Sequence, residues 1–162
     1  MVFEHLIEIN DPTNPLLALL TRSQVWRGLM WRAEKPQDFQ EDISNLQILE
    51  QGSDFLVREF ELGNLAIRDH IEWDTQREII YDTQPNDQHR GGMLTMRLEE
   101  PEAGRLFIRF VYRTPLPENA TPGSDDASDA YYASYVKSAY QESDIDTVRK
   151  IRELAALGVL GE

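Results

Sequence analysis

No cysteine occurs among the 162 residues, which removes disulfides, thiolate metal ligands and a thiol nucleophile together. That absence fits a reducing compartment, and a cytoplasmic location is expected. Basic residues are scarce: 16 Lys and Arg stand against 29 Asp and Glu, a formal net charge of -13. A field of that sign repels phosphate backbones and anionic lipid, so no nucleic-acid partner is expected. The start, MVFEHLIEI, has no basic leader, and no apolar run is long enough to span a bilayer; no membrane insertion is expected. No serine sits in a GxSxG elbow. Gly91-Gly92 lacks the lysine and hydroxyl ending of a phosphate loop and precedes a strand, so it reads as a turn. His5, His70 and His89 fall on separate elements with no carboxylate at ligand spacing, so neither a metal nor any other cofactor is expected.

What is present is a chain of 41% hydrophobic and 9% aromatic residues, enough for one folded domain over residues 1–162. Phe3, His5, Ile7 and Ile9 share one face of a short first strand, with Glu4 and Glu8 opposite. TRSQ at 21–24 has the form of a capping box, and the helix that follows carries Val25, Trp26, Leu29 and Met30 on one stripe to about Ala33. Pro36 ends it, and FQEDI at 39–43 is expected to form one helical turn. The period then changes to two. ISNLQILE, DFLVREFEL, LAIRDHIEW, REIIYD, MLTMRLEE and RLFIRFVYR read as six strands, joined by connections short enough to favour antiparallel neighbours. A polar loop, LPENATPGSDDASDA, leads into a helix over about 127–157, whose stripe is Tyr132, Tyr135, Val136, Ala139 and Tyr140, then Ile145, Val148, Ile151, Leu154 and Ala155. Ser143 or Asp144 offers a cap at which that helix could be interrupted. Seven acidic residues from Glu118 to Asp146, with only Lys137 against them, read as a solvated surface or as an acidic docking face.

Strand, helix, six strands, long helix is an order that resembles the helix-grip fold of the START-like, or SRPBCC, superfamily, and most closely its small AtaL-like branch. FEHLIEIND at 3–11, LTRSQVWRGLMWRAEKPQDF at 20–39 and LGNLAIRDHI at 62–71 carry the likeness. GGMLTMRLEEPEAGRLFIRFVYRT at 91–114 and TVRKIRELAALG at 147–158 complete it over nearly the whole chain. The resemblance implies an α+β fold, a curved antiparallel β-sheet wrapped around a long C-terminal helix, with an internal hydrophobic pocket between them. It implies no particular reaction.

Two charges stand out on apolar strand faces. Arg58 shares a face with Leu56, Phe60 and Leu62; Asp69 shares one with Leu65, Ile67, Ile71 and Trp73. A two-residue type II′ loop at Gly63-Asn64 places Leu62 opposite Leu65, Phe60 opposite Ile67 and Arg58 opposite Asp69. Such a pair is either a structural bridge or a polar anchor whose arginine meets an anionic or carbonyl-bearing ligand. Arg68 and Glu59 oppose each other on the other face, where an exposed pair is expected. The pocket is expected to draw on Arg58, Asp69, His5, Trp26, Phe60, Ile67, Ile71, Met96, Phe110, Tyr112, Tyr132, Tyr135 and Tyr140. Tyrosines offer an apolar body with a polar tip, which suits a small hydrophobic or aromatic partner. Binding of such a molecule is the leading expectation. A cyclase, isomerase or hydrolase-like activity on it, or a structural or protein-interaction role, stand as alternatives; the sequence leaves homodimer formation open.

Overall fold

The computed structural model describes residues 1–115 and 126–162. The loop expected after Thr114 lies largely outside them, with Glu118 and Asp125 of the acidic run. The elements are β1 (Val2–Glu8), α1 (Arg22–Glu34), a single 3-10 turn at Pro36–Asp38, β2 (Ile43–Gln51), β3 (Phe55–Leu62), β4 (Leu65–Asp74), β5 (Glu78–Thr83), β6 (Gly92–Glu102), β7 (Arg105–Arg113) and α2 (Asp126–Ala156). The strands form one curved antiparallel sheet in the order β1-β7-β6-β5-β4-β3-β2, with α2 behind it: the helix-grip arrangement.

Local chemistry sets the ends of these elements. At α1 the Thr21 side chain accepts from the Gln24 amide at 3.1 Å, while Gln24 Oε1 accepts from the Thr21 amide at 2.8 Å, closing the expected capping box. Gly63 takes φ +58 and Asn64 does not take a positive φ, as the type II′ loop requires. The β3–β4 register follows from it, with Arg58 opposite Asp69 and Leu62 opposite Leu65. Buried Asn10 ties the connection from β1 to α1 by donating to the Leu20 carbonyl at 2.6 Å and accepting from the Leu20 amide at 2.9 Å.

Two expectations fail here. The helical turn forms at Pro36–Asp38, not at 39–43, because the fixed φ of Pro36 starts it. The helix α2 runs unbroken through Ser143; Asp144 is a buried residue of its inner face and caps nothing.

The inner face of the sheet has two ends with different covers. One end is roofed by α1 and the C-terminal half of α2, and it is solid. Val25, Trp26 and Leu29 of α1 pack there with Leu56, Ile71, Ile79, Met96 and Phe110 of the sheet and with Val148, Ile151 and Leu154 of α2. The two helices meet at Gly28, where a Cβ would lie 2.7 Å from Ile151 Cγ1. The other end of the sheet, beyond the C-terminus of α1, lies under the earlier part of α2.

Candidate functional site

That second end holds a cavity of about 320 Å³. Its floor is made by Arg58, Phe60 and Leu62 of β3, Ile67 and Asp69 of β4, Tyr81 and Thr83 of β5, Leu94 of β6 and Tyr112 of β7. Arg32 enters from the last turn of α1, and Tyr140 and Ser143 descend from α2. The exposed residues Gln40 and Met93 also line it, so the space reaches solvent. A larger hollow of about 640 Å³ lies on the outer face against Glu59, Glu61, Arg68 and His70, where Arg68 and Glu59 form the expected exposed pair. Polar and charged side chains make up most of its lining, with Phe60, Ala66, Ile67 and Pro85 interspersed among them.

Of the residues expected in the pocket, Arg58, Asp69, Phe60, Ile67, Tyr112 and Tyr140 line this cavity. Trp26, Ile71, Met96 and Phe110 do not. They belong to the solid core, because α1 fills the space over that end of the sheet. Tyr132 and Tyr135 turn outward, 52% and 63% exposed, and Ala133 is the buried residue of that turn. The stripe through Tyr140, Asp144, Thr147, Val148 and Ile151 extends back to Ala133, leaving the two tyrosines on the opposite side. His5 does not line the cavity; its ring nitrogen bonds Asp144, which in turn accepts from Tyr112, the member of this chain that lines the space.

The Arg58–Asp69 pair is buried and extensively bonded. Arg58 Nε donates to Asp69 Oδ2 at 3.0 Å, and Nη2 lies 2.9 Å from the same oxygen. Nη1 donates to the carbonyls of Arg32 at 3.0 Å and Ala33 at 2.6 Å. Those carbonyls belong to the open C-terminal end of α1, where a cation also meets the negative end of the helix dipole. Asp69 Oδ1 accepts from the Thr83 hydroxyl at 2.6 Å. The pair thus fastens α1 to the sheet at the border between solid core and cavity.

Sequence reasoning missed Asp144, Arg32 and Tyr81. Asp144 is fully buried; its Oδ2 is hydrogen bonded to His5 Nε2 and its Oδ1 accepts from the Tyr112 hydroxyl. The Tyr112 ring stacks on that of Tyr140 with centroids 3.9 Å apart. Burial pushes the Asp144 carboxyl above its ordinary value of 3.8, and hydrogen bonds from Tyr112 and His5 pull it part of the way back. Burial, and then the Asp144 charge, raise Tyr112 far above the tyrosine range, so its hydroxyl remains a donor at neutral pH. Burial also raises Tyr140. The missed signals were positional. Asp144 is four residues past Tyr140, Arg32 is three past Leu29 and seven past Val25, and Tyr81 alternates with Ile79; each lies on an inward stripe.

A raised folded-state pKa means that the stability linked to Asp144 is fully present below about pH 3.8 and is lost as pH rises through the raised value. Ionised above it, the carboxylate costs stability. Asp144→Asn cannot titrate; its amide can accept from Tyr112 and donate to the other tautomer of His5. The stability of the variant relative to wild type is therefore expected to rise with pH and then level off once Asp144 is ionised. Urea unfolding of both proteins from about pH 4 to about pH 8 reads this directly. A pH-independent difference would show that Asp144 does not titrate out of the ordinary range.

Seven antiparallel strands gripping a long C-terminal helix, with a cavity beneath that helix, define a START-like protein. The chain belongs to the family of the acetylaranotin biosynthesis cluster protein L, AtaL, whose model matches residues 7–158. A search of curated protein sequences gives no match. Solved structures share its fold at low identity. The Zhui aromatase/cyclase from Streptomyces sp. R1128 superposes with a TM-score of 0.62 at 13% identity, over 98% of this chain and 95% of that one. The di-domain aromatase/cyclase StfQ of the steffimycin biosynthetic pathway gives 0.68 at 12% identity, over 98% of this chain but only 52% of that one. A START superfamily protein from Mycobacterium smegmatis gives 0.62 at 8% identity, over 94% and 98%. Among the described residues, no helix is long and apolar enough to cross a membrane.

Proposed function

We propose that the protein binds a small hydrophobic or aromatic molecule in the cavity between the sheet and α2. The observation that carries this reading is the composition of one concave space. Phe60, Ile67 and Leu94 give it apolar walls, while Tyr81, Tyr112 and Tyr140 add aromatic faces with polar tips. Its 320 Å³ falls within the range of small-ligand sites, roughly 300–1,000 Å³. Aromatase/cyclases among the structural neighbours support an aromatic ligand in particular. Native mass spectrometry of gently purified protein is expected to reveal a small bound molecule that solvent extraction recovers. Protein that stays empty when challenged with aromatic compounds of matching size would overturn the reading.

Acid–base chemistry on the bound molecule is a second reading, and it rests on the Tyr112–Asp144–His5 chain. Tyr112 borders the cavity, and its proton faces a carboxylate that is linked in turn to an imidazole. Chemical change of a recovered ligand on incubation, lost in Tyr112→Phe with binding retained, would favour catalysis over storage or transport.

A further inference from the structure

We propose that Arg32 is the anion anchor of the cavity, and that the ligand carries an acidic oxygen group, such as a carboxylate, phenolate or enolate, on its aromatic or hydrophobic body. This rests on the binding reading above and specifies which end of the ligand goes where.

The argument begins with charge. Two guanidinium groups lie against the Tyr81 ring, Arg32 at 4.9 Å and Arg58 at 5.3 Å from its centroid. Arg58 is matched by Asp69 and by the α1 carbonyls, which occupy all three of its nitrogens. Arg32 has no such match. Among the described residues no carboxylate is in ion-pair contact with it. The carboxylate whose charge acts on it is Asp144, whose two oxygens are taken by His5 and Tyr112. An arginine cannot shed its proton to escape this position, so the cavity holds a fixed positive charge inside a protein of net charge -13.

The second observation is independent of charge. Tyr81 is 4% exposed, and its hydroxyl oxygen is buried without a hydrogen-bond partner among the described residues. Thr114 Oγ1 is buried in the same condition. Both residues line this cavity. Arg32 is the charged neighbour of the Tyr81 hydroxyl and Tyr140 the neighbour of Thr114, yet neither pair reaches hydrogen-bond geometry. Buried polar atoms are nearly always paired, so these two hydroxyls leave room for oxygen atoms from outside the chain. Guanidinium donors with two hydroxyls suit an oxyanion, and the surrounding Phe60, Ile67 and Leu94 suit the apolar remainder. Arg58, on this account, holds the wall in place and leaves ligand contact to Arg32.

Anilinonaphthalenesulfonate and phenylnaphthylamine form a matched probe pair, since they differ only in the sulfonate. Fluorescence titration of wild type is expected to show one-to-one binding of both, with the sulfonate bound more tightly and displaced by the neutral probe. Arg32→Met should weaken the sulfonate about tenfold or more and leave the neutral probe within about twofold. Tyr81→Phe retains the ring and removes the open hydroxyl. It should weaken the sulfonate about threefold or more, yet leave the unfolding midpoint of the free protein unchanged or higher, since no internal hydrogen bond is lost. Equal changes for both probes in Arg32→Met, or none, would overturn the anchor while leaving the cavity reading intact. Failure of wild type to bind either probe would take both down.

Discussion

Replacing Arg58 by methionine is expected to destabilise the protein by about 3–5 kcal/mol, lowering the melting temperature by roughly 10 °C. Three losses coincide. Asp69 becomes a buried carboxylate held only by the Thr83 hydroxyl. The Arg32 and Ala33 carbonyls at the end of α1 lose their donor. The helix also loses the cation at the negative end of its dipole. Most of the cost comes from orphaning Asp69, so a second change should recover much of it. The double variant Arg58→Met with Asp69→Leu removes both charges and is expected to lie within about 1–2 kcal/mol of wild type, as buried pairs replaced by apolar residues often do. Urea unfolding of the four proteins of this cycle measures the coupling. A single variant as stable as the double would mean that the pair is not the fastening described above.

The second large effect is expected where the helices meet. Ile151 is fully buried, and truncation to alanine should cost about 2–5 kcal/mol through lost burial and the void left behind. Gly28 faces it so closely that Gly28→Ala in the wild-type background should also destabilise: the new methyl would sit 2.7 Å from both Cγ1 and Cγ2 of Ile151, outweighing the roughly 1 kcal/mol of helix propensity that alanine adds. In the Ile151→Ala background the sign should reverse, because the methyl then occupies vacated space. Thermal unfolding of both singles and the double tests this. Gly28→Ala with the same effect in both backgrounds would mean that Gly28 and Ile151 are not in contact. The contact bears on function because it holds α2, and with it Tyr140 and Asp144, over the cavity.

A charge on the inner face of each of two adjacent strands was legible in the sequence. Period-two alternation put Arg58 and Asp69 inward, and Gly63-Asn64 set them opposite each other. What the pair does was not legible, because its other partners are the Arg32 and Ala33 carbonyls, backbone atoms that carry no residue-type signal. The unbroken α2 was misjudged for a related reason. A serine followed by an aspartate reads as a cap, although Asp144 lies on the inward stripe; the partners that let it stay buried there, Tyr112 and His5, are 32 and 139 positions away.

The amino-acid sequence alone determined the strands, their inward faces and the β3–β4 register, since each depends on neighbours a few residues apart. Periodicity placed Phe60, Ile71, Met96 and Phe110 on one apolar face, and all four are buried there. It could not divide that face. Residues two apart on a strand point the same way whether a helix or an empty space lies above them. The division was made by where α1 stops: it roofs Ile71, Met96 and Phe110 and ends at the Arg58–Asp69 pair, so that Phe60, Tyr81 and Tyr112 are left facing the cavity. Where a helix ends over a sheet depends on the docking of one whole element against another, and that is a property of tertiary packing.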